Sequence, residues 1–134
     1  MIFIDTNIWC YFFDESSKEH KKVSALIEKI LNKEQILINT VIIMEISHYL
    51  IKNLGPVVGM EKIETFLEFP LVIDDLDYSA AQASIRLLHK YSHEGIGGRD
   101  ATILATMKNK NIKEIATHDA SFKSIDWLKI IDPV

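Results

Sequence analysis

Four acidic residues occupy positions that distinguish them from the acids expected on a solvated surface: Asp5, Glu45, Asp100 and Asp119. Clustered carboxylates supply hard oxygen ligands, and such ligands suit divalent cations, particularly Mg²⁺ and Mn²⁺. An ion held by them would bind phosphate oxygens, lower the pKa of an attacking water and stabilise a leaving oxygen. These residue types therefore favour metal-dependent hydrolysis of a phosphoester, which needs no serine, histidine or cysteine nucleophile.

Glu45 is the most unusual of the four, because it follows the apolar run 41–44 within a predicted helix. A carboxylate in an apolar stretch is unfavourable unless it is paired or bound to metal. The other three have ordinary structural explanations when taken singly. Asp5 suits an Asx-turn, and Asp100 and Asp119 suit helix N-termini. The convergence of all four on one place is what favours a site.

Four ionised carboxylates packed together would repel one another, so some are expected to hold a proton in the metal-free chain. Substituting Asp5 or Asp100 by asparagine is then expected to leave the metal-free stability unchanged or to raise it. Arg99, which directly precedes Asp100, is expected to be an ordinary exposed side chain, with contact to a phosphate as the alternative.

The apolar pattern of the chain predicts the elements that would bring these acids together. Short buried strands are predicted at residues 2–4, 36–38, 71–73, 112–116 and 128–131. Amphipathic helices are predicted over residues 40–54, 57–69, 78–93 and 99–110, with another ending near residue 31 and short helical turns at 9–13 and near 122. The predicted N-caps are Ser16 or Ser17, Thr40 and Asp77.

Short apolar strands that alternate with amphipathic helices predict a three-layer α/β/α fold around a central, mostly parallel sheet of four to five strands. Ligands of such sheets bind beyond the carboxyl ends of the strands. Asp5 and Asp119 follow two predicted strands, and the helices that carry Glu45 and Asp100 begin at the same edge. No linker, repeat or low-complexity segment divides the chain, so residues 1–134 are expected to form a single domain.

Composition indicates the class of protein in which this site would act. Hydrophobic residues make up 48% of the chain and charged residues 25%, as in a globular protein. The single Cys10 excludes an internal disulfide, and no apolar stretch approaches the roughly 20 residues of a membrane span. We therefore expect a cytoplasmic protein. The net charge of −4 argues against nucleic-acid binding, except that bound divalent ions would reverse the local field.

The segments around the four acids resemble the motifs of the PIN-domain family. Phe3–Asn7 resembles the opening motif, in which an aspartate ends the first strand, and Glu45 lies in a Thr-x-x-x-x-Glu setting typical of the family. Gly98–Ala101 looks like the third acidic motif, and Thr117–Asp119 with Phe122 looks like the fourth. Over essentially the whole chain, their order and spacing resemble the toxin nucleases of VapBC toxin–antitoxin modules.

The resemblance implies an endoribonuclease, dependent on Mg²⁺ or Mn²⁺, that hydrolyses RNA phosphodiester bonds and leaves a 5′-phosphate and a 3′-hydroxyl. It implies that Asp5, Glu45 and Asp100 bind metal directly, and that Asp119 binds a second metal or does so through water. Asn7 and Thr117, with Thr6 as a lesser candidate, would support the site by hydrogen bonds.

The resemblance also implies partners: an RNA substrate, a VapB-type antitoxin and a second copy of the chain in a homodimer. An amphipathic helix of the antitoxin would bind in a groove near the active site, next to the aromatic stretch Trp9–Phe13. Most of that stretch is expected in the core, and an exposed part would contribute to the interface.

Two other functions remain open within the same family. One is a nuclease that processes RNA or cuts structured DNA without an antitoxin, and the other is a catalytically silent PIN-like binding module. Retention of all four acids argues against a binding module, which has no need of them. A phosphatase of the haloacid dehalogenase type would need a second aspartate where Asn7 stands.

Overall fold

Five short strands form a parallel sheet in the order β3-β2-β1-β4-β5. The strands are β1 (Ile2–Ile4), β2 (Ile36–Asn39), β3 (Leu71–Asp74), β4 (Glu114–Ala116) and β5 (Lys129–Ile131). The structure is a computed structural model that describes residues 1–134. The predicted sheet of four to five mostly parallel strands is confirmed, and all five strands are in fact parallel.

Six α-helices flank the sheet and complete the predicted three-layer α/β/α fold. They are α1 (Thr6–Phe13), α2 (His20–Leu31), α3 (Thr40–Leu54), α4 (Pro56–Leu67), α5 (Tyr78–Lys90) and α6 (Gly98–Asn109). Two 3₁₀ turns, Ser92–Glu94 and Ala120–Ser124, follow α5 and β4. None of the helices is both long and apolar enough to span a membrane.

The helix starts differ from the sequence-based prediction in two places. Ser16 and Ser17 do not cap α2, which begins after Glu19 without a side-chain cap, because Ser16 instead donates to Asp14. Asn39 rather than Thr40 caps α3, since the Asn39 side chain accepts a hydrogen bond from the backbone N–H of Ile42 at 3.1 Å.

Other helix boundaries also differ, while one cap was predicted correctly. The short turn predicted after Asp5 is the eight-residue helix α1, and α5 ends at Lys90 rather than His93. Asp77 caps α5 as predicted, accepting from the Ala80 N–H at 2.8 Å. Helix ends are the parts that local sequence determines least, because several polar residues in a row can serve as caps.

The largest buried side chains pack around the middle of the sheet and along α1. Trp9 contacts four phenylalanines, with ring centroids 4.9 to 6.3 Å away. We call these five residues the aromatic cluster: Trp9, Phe12, Phe13, Phe66 and Phe69. Trp9 and Phe13 are buried while Tyr11 and Phe12 are half-buried, so the prediction that most of this stretch is core is confirmed.

Helix α4 crosses α3 at close range, and a glycine makes this possible. A Cβ atom on Gly59 would lie 2.7 Å from the backbone oxygen of Leu50, nearer than any real side chain could approach. The close contact packs α3, the helix that carries Glu45, against α4.

Candidate functional site

Asp5 lies at the carboxyl end of β1 and is completely buried. Its Oδ1 accepts from the backbone N–H of Thr6 at 2.7 Å, so the residue caps α1. Its Oδ2 accepts from the Thr117 hydroxyl, also at 2.7 Å. The turn-forming and functional explanations of this residue are therefore compatible, since the capping oxygen Oδ1 also accepts from Arg99 Nη1 at 2.8 Å.

Glu45 lies in the second turn of α3, with about a third of its side chain exposed. The Thr6 hydroxyl donates to Glu45 Oε1 at 3.1 Å, which connects the glutamate to the residue after Asp5. Partial burial raises the pKa of Glu45 above its ordinary value, and the nearby Arg99 guanidinium opposes that rise. Glu45 is therefore a carboxylate whose ionised form needs a neighbouring positive charge.

Asp100 lies in the first turn of α6 and is buried. It accepts from the backbone N–H of Gly97 at a long 3.5 Å and from the Ser121 hydroxyl at 3.2 Å. Burial raises the pKa of Asp100, Arg99 opposes the rise, and the charge of Asp119 adds to it.

Asp119 follows β4 after two residues and caps the second 3₁₀ turn, accepting from the Ser121 N–H at 2.9 Å. The Ser121 hydroxyl lies 2.8 Å from Asp119 Oδ1 and 3.2 Å from Asp100 Oδ2. Ser121 thus bridges the third and fourth acids. The sequence-based prediction missed it, although a serine two residues after a capping aspartate is a common partner for that aspartate.

The guanidinium of Arg99 lies between all four acids. Its Nη1 donates to Asp5 Oδ1 at 2.8 Å, and its Nε lies 3.4 Å from Glu45 Oε2. Its Nη2 lies 3.0 Å from Asp100 Oδ1 and 3.6 Å from Asp119 Oδ2. The four predicted acids are therefore brought together around one cation that belongs to the chain itself.

The expectation that Arg99 is an ordinary exposed residue is wrong, since only 29% of its side chain is exposed. Burial alone would lower the pKa of Arg99, but the charges of Asp5, Glu45 and Asp100 raise it above the ordinary value. No group of three or more acidic, histidine or cysteine side chains in the structure is arranged to hold a metal ion. The mutual repulsion expected from sequence is thus partly offset by the ion pairs that Arg99 forms with the four acids.

The three residues predicted to support the site lie beside the acids. Thr6 donates to Glu45, and Thr117 donates to Asp5. Asn7 accepts from the backbone N–H of His118 at 3.3 Å, which positions the segment that leads to Asp119. Each therefore touches an acid or the backbone beside one.

Another buried polar residue, Asn39, connects the two helices that carry Glu45 and Asp100. Asn39 is completely buried at the end of β2 and caps α3. Its side-chain amide donates to the Thr106 hydroxyl of α6 at 3.2 Å. This link fixes the start of α3 relative to α6, and its signal in the sequence is a polar residue that ends an apolar strand.

A groove of about 290 Å³ opens next to the acids. It lies between α1 and α3 and is lined by Thr6, Asn7, Cys10, Tyr11, Glu45, Tyr49 and Arg99. Burial raises the pKa of Cys10 to about 12, so the thiol stays protonated and is not a nucleophile. The groove offers a charged end at Arg99 and Glu45 and a more apolar end formed by tyrosines.

Comparison with known proteins agrees with this geometry. The sequence pattern of the PIN domain matches residues 2–128, nearly the whole chain. The chain belongs to the PIN domain family. A relative in Methanocaldococcus jannaschii, named Ribonuclease VapC2, is 30% identical to this PIN domain over 145 aligned positions that cover 98% of this chain and 93% of the relative.

Solved structures share the fold of this PIN domain at lower sequence identity. The Mycobacterium tuberculosis toxin VapC20, described as cleaving the sarcin–ricin loop, superposes with a TM-score of 0.81 at 16% identity, covering 92% of this chain and 94% of that one. A chain of VapBC2 from Rickettsia felis, bound to a promoter DNA fragment, gives 0.77 at 21% identity and 98% coverage of both chains. The fold has therefore been conserved far beyond the similarity in sequence.

Proposed function

We propose that this PIN domain, residues 1–134, is a divalent-metal-dependent endoribonuclease that hydrolyses RNA phosphodiester bonds as the toxin of a type II toxin–antitoxin module. The observation that carries the proposal is the arrangement of Asp5, Glu45, Asp100 and Asp119 around a single cationic group. These four acids come from four separate segments, and they meet at the carboxyl edge of the sheet, where ligands of parallel sheets bind. The relative named as a ribonuclease supports RNA as the substrate.

The residues present fit a hard divalent cation. Every donor in the set is a carboxylate oxygen, which is the ligand type that Mg²⁺ and Mn²⁺ prefer. The Arg99 guanidinium demonstrates that a positive charge is stabilised at this point. Asp5, Glu45 and Asp100 would hold the ion directly, and Asp119 would hold it through water or bind a second ion. When bound, the ion supplies Lewis acidity and lowers the pKa of the attacking water.

The chain's own residues hold this set in place. Thr117 and the Thr6 N–H orient the two oxygens of Asp5, and the Thr6 hydroxyl orients Glu45. Ser121 keeps Asp100 and Asp119 side by side. Asn7 fixes the backbone next to Asp119. A site held by such hydrogen bonds loses little freedom when substrate binds, which favours the transition state.

The decisive experiment is an RNA cleavage assay with purified protein. Cleavage is expected with Mg²⁺ or Mn²⁺ and is expected to stop in excess EDTA. Asp100→Asn should reduce the rate at least about a hundredfold, because removing a carboxylate ligand weakens the charge stabilisation of the transition state. Glu64→Gln, a matched change at an exposed acid on α4, should leave the rate unchanged. Full activity in EDTA would refute the proposal.

The antitoxin and dimer parts of the proposal are tested separately. Several solved structures with this fold are toxin–antitoxin complexes, among them VapBC2 from Rickettsia felis and a complex from Klebsiella pneumoniae. We expect a cytoplasmic homodimer whose groove between α1 and α3 receives an amphipathic antitoxin helix. Light scattering of the purified chain would measure the homodimer, and light scattering of the chain co-expressed with an antitoxin would measure the complex. A monomer with no inhibitor encoded beside its gene would favour a nuclease without an antitoxin.

A further inference from the structure

The contacts of Arg99 divide the four acids into two pairs. One terminal nitrogen of the guanidinium, Nη1, donates to Asp5 Oδ1 at 2.8 Å and to Glu45 Oε1 at 3.5 Å. The other end, through Nη2, faces Asp100 and Asp119. A planar fork with several donors is suited to bridging carboxylates in this manner. The guanidinium therefore contacts the same four acids that are proposed to hold a cation.

We call the four acids Asp5, Glu45, Asp100 and Asp119 the acidic centre, and the guanidinium neutralises its charge only in part. Four ionised carboxylates and one arginine leave a formal charge of −3 (−4 + 1) among these five side chains, and burial of Glu45 and Asp100 makes that excess unfavourable. A divalent ion brings twice the charge of the guanidinium and can approach each oxygen more closely. The acidic centre consequently favours a divalent ion over the arginine when both are available.

We propose that Arg99 is an internal competitor of the metal, which occupies the acidic centre in the metal-free chain and must move out before a divalent cation can bind. The inference rests on the proposed function, because it concerns the same acids. It adds that the affinity for metal is set by a residue that is not a ligand.

The environment of Arg99 allows its side chain to leave without unfolding the helix that carries it. Its backbone oxygen accepts from the Thr102 hydroxyl at 2.7 Å within α6, so the backbone is fixed independently of the guanidinium. The preceding loop is anchored by Ile96, which is buried. The side chain itself is 29% exposed and lines the groove next to the acids, so rotation about its own bonds brings the guanidinium into water.

Metal binding to the purified chain tests the proposal directly. Mn²⁺ affinity is measured by titration with electron paramagnetic resonance detection of free Mn²⁺, for wild type, Arg99→Gln, Arg99→Lys and Arg86→Gln. Arg86 and Arg99 are the two arginines of the chain, and Arg86 is exposed on α5, which makes its substitution a control with the same change of charge.

Arg99→Gln is expected to bind Mn²⁺ about tenfold more tightly or better, because a positive charge within hydrogen-bonding distance of the ligands is removed. The Mn²⁺ affinity of Arg99→Lys should lie between those of wild type and Arg99→Gln, since an ammonium cannot bridge both pairs of acids. Arg86→Gln should match wild type. In the metal-free state Arg99→Gln should melt at a lower temperature than wild type, and the stabilisation by saturating Mn²⁺ should be larger. Should Arg99→Gln not fold, Arg99→Lys alone decides the comparison.

The outcomes separate this proposal from the proposed function. Equal Mn²⁺ affinity in wild type and Arg99→Gln would leave the metal site intact and overturn the competition. The competition would also be overturned if Arg99→Gln weakened RNA binding while Mn²⁺ affinity stayed constant, since Arg99 would then be a phosphate contact. Absence of Mn²⁺ binding in every variant would overturn the metal site and the competition together.

A second measurement uses the wild-type protein and needs no substitution beyond the control. With two arginines in the chain, an NMR spectrum of the side-chain Nε–H groups contains two signals, and Arg86→Gln assigns them. Saturating Mg²⁺ is expected to move the Arg99 signal towards that of an exposed arginine and to speed its exchange with water. The Arg86 signal should not change. An Arg99 signal that stays in place after Mg²⁺ has saturated the site would overturn the proposal.

Discussion

The aromatic cluster and the acidic centre meet at α1, which carries Trp9 and is capped by Asp5, and they are held together by opposite means. Trp9 is completely buried among phenylalanines, and its indole N–H has no hydrogen-bond partner. Asp5, just before that helix, is equally buried, yet both of its oxygens accept hydrogen bonds. Apolar packing tolerates one unpaired N–H, whereas a buried carboxylate requires a complete set of partners.

The two regions contribute to different properties of the protein. The aromatic cluster contributes free energy of folding through buried apolar area, and its rings pack against one another. The acidic centre contributes less, because desolvation of its charges opposes the attraction among them. Substitutions in the cluster should therefore lower stability, and substitutions in the acidic centre should lower activity first.

The largest effect is expected from Trp9→Ala. Loss of this fully buried ring should lower the free energy of unfolding by about 3–5 kcal/mol, through lost apolar contacts and the cavity left behind. Urea denaturation followed by circular dichroism measures it. Trp127→Ala, which removes the same side chain from a half-buried position, should cost clearly less. A loss of activity in the folded fraction of Trp9→Ala would contradict the claim that the aromatic cluster acts on stability alone.

Asp5→Asn should reduce cleavage at least about a hundredfold and also lower the metal-free stability by about 1–3 kcal/mol. The loss of stability arises because Arg99 would lose the acid 2.8 Å from its Nη1. Repulsion among unpaired acids, as expected from sequence alone, would instead leave stability unchanged or raise it. Urea denaturation in EDTA distinguishes loss of the Arg99 partner from relief of repulsion, because the two predict opposite changes in stability. Asp5→Asn with full activity would exclude Asp5 from the site.

Thr117→Val keeps the shape of the side chain and removes the hydroxyl that donates to Asp5 at 2.7 Å. Activity should fall by roughly 10- to 100-fold, as is typical when a partner of a metal ligand is lost. Stability should fall by about 1 kcal/mol. Comparing the loss of cleavage rate with the shift of the urea midpoint shows whether Thr117 acts by positioning the Asp5 carboxylate. An equal loss of folded protein and of rate would show that Thr117 acts only on stability.

The smallest effect is expected at Asp14, an acid that follows the aromatic stretch at the end of α1. Hydrogen bonds from Ser16 and then Tyr49 hold its pKa below the ordinary value of 3.8, against the effect of burial. A lowered pKa means that its contribution to stability is complete above pH 3.8 and is lost as the pH falls through the lower, folded value. In Asp14→Asn, the free energy of unfolding should therefore fall by about 1 kcal/mol less than in wild type as the pH is lowered. Urea midpoints measured from about pH 2.5 to about pH 6 test it.

The sheet and the four acids could be predicted from sequence because each leaves a local signal. Apolar runs such as Ile2–Ile4 bury completely only in the interior of a sheet, and acids directly after them lie at one edge. Glu45 was recognisable because its charge interrupts an apolar stretch. These signals depend only on residues that are neighbours in the sequence, so they can be read without knowing the tertiary contacts.

The position of Arg99 could not be predicted, because its partners are remote in sequence. Asp5 is 94 residues away and Glu45 is 54 residues away. At the start of a helix an arginine that precedes a buried aspartate is usually solvated, and nothing local indicates the direction of its side chain. The cap at Asn39 instead of Thr40 was missed for a related reason, since two adjacent polar residues suit the same role and burial decides between them.

The place of β1 in the sheet has a consequence for how the protein is made. The first strand lies between β2 and β4, so one of its edges is covered only by a strand that begins at Glu114. The fourth acid, Asp119, follows Asp5 by 114 residues (119 − 5). A nascent chain on the ribosome therefore has an unpaired central strand and an incomplete acid set until that late segment emerges. Under the proposed function, the chain would therefore be unable to cleave RNA until Asp119 has been translated.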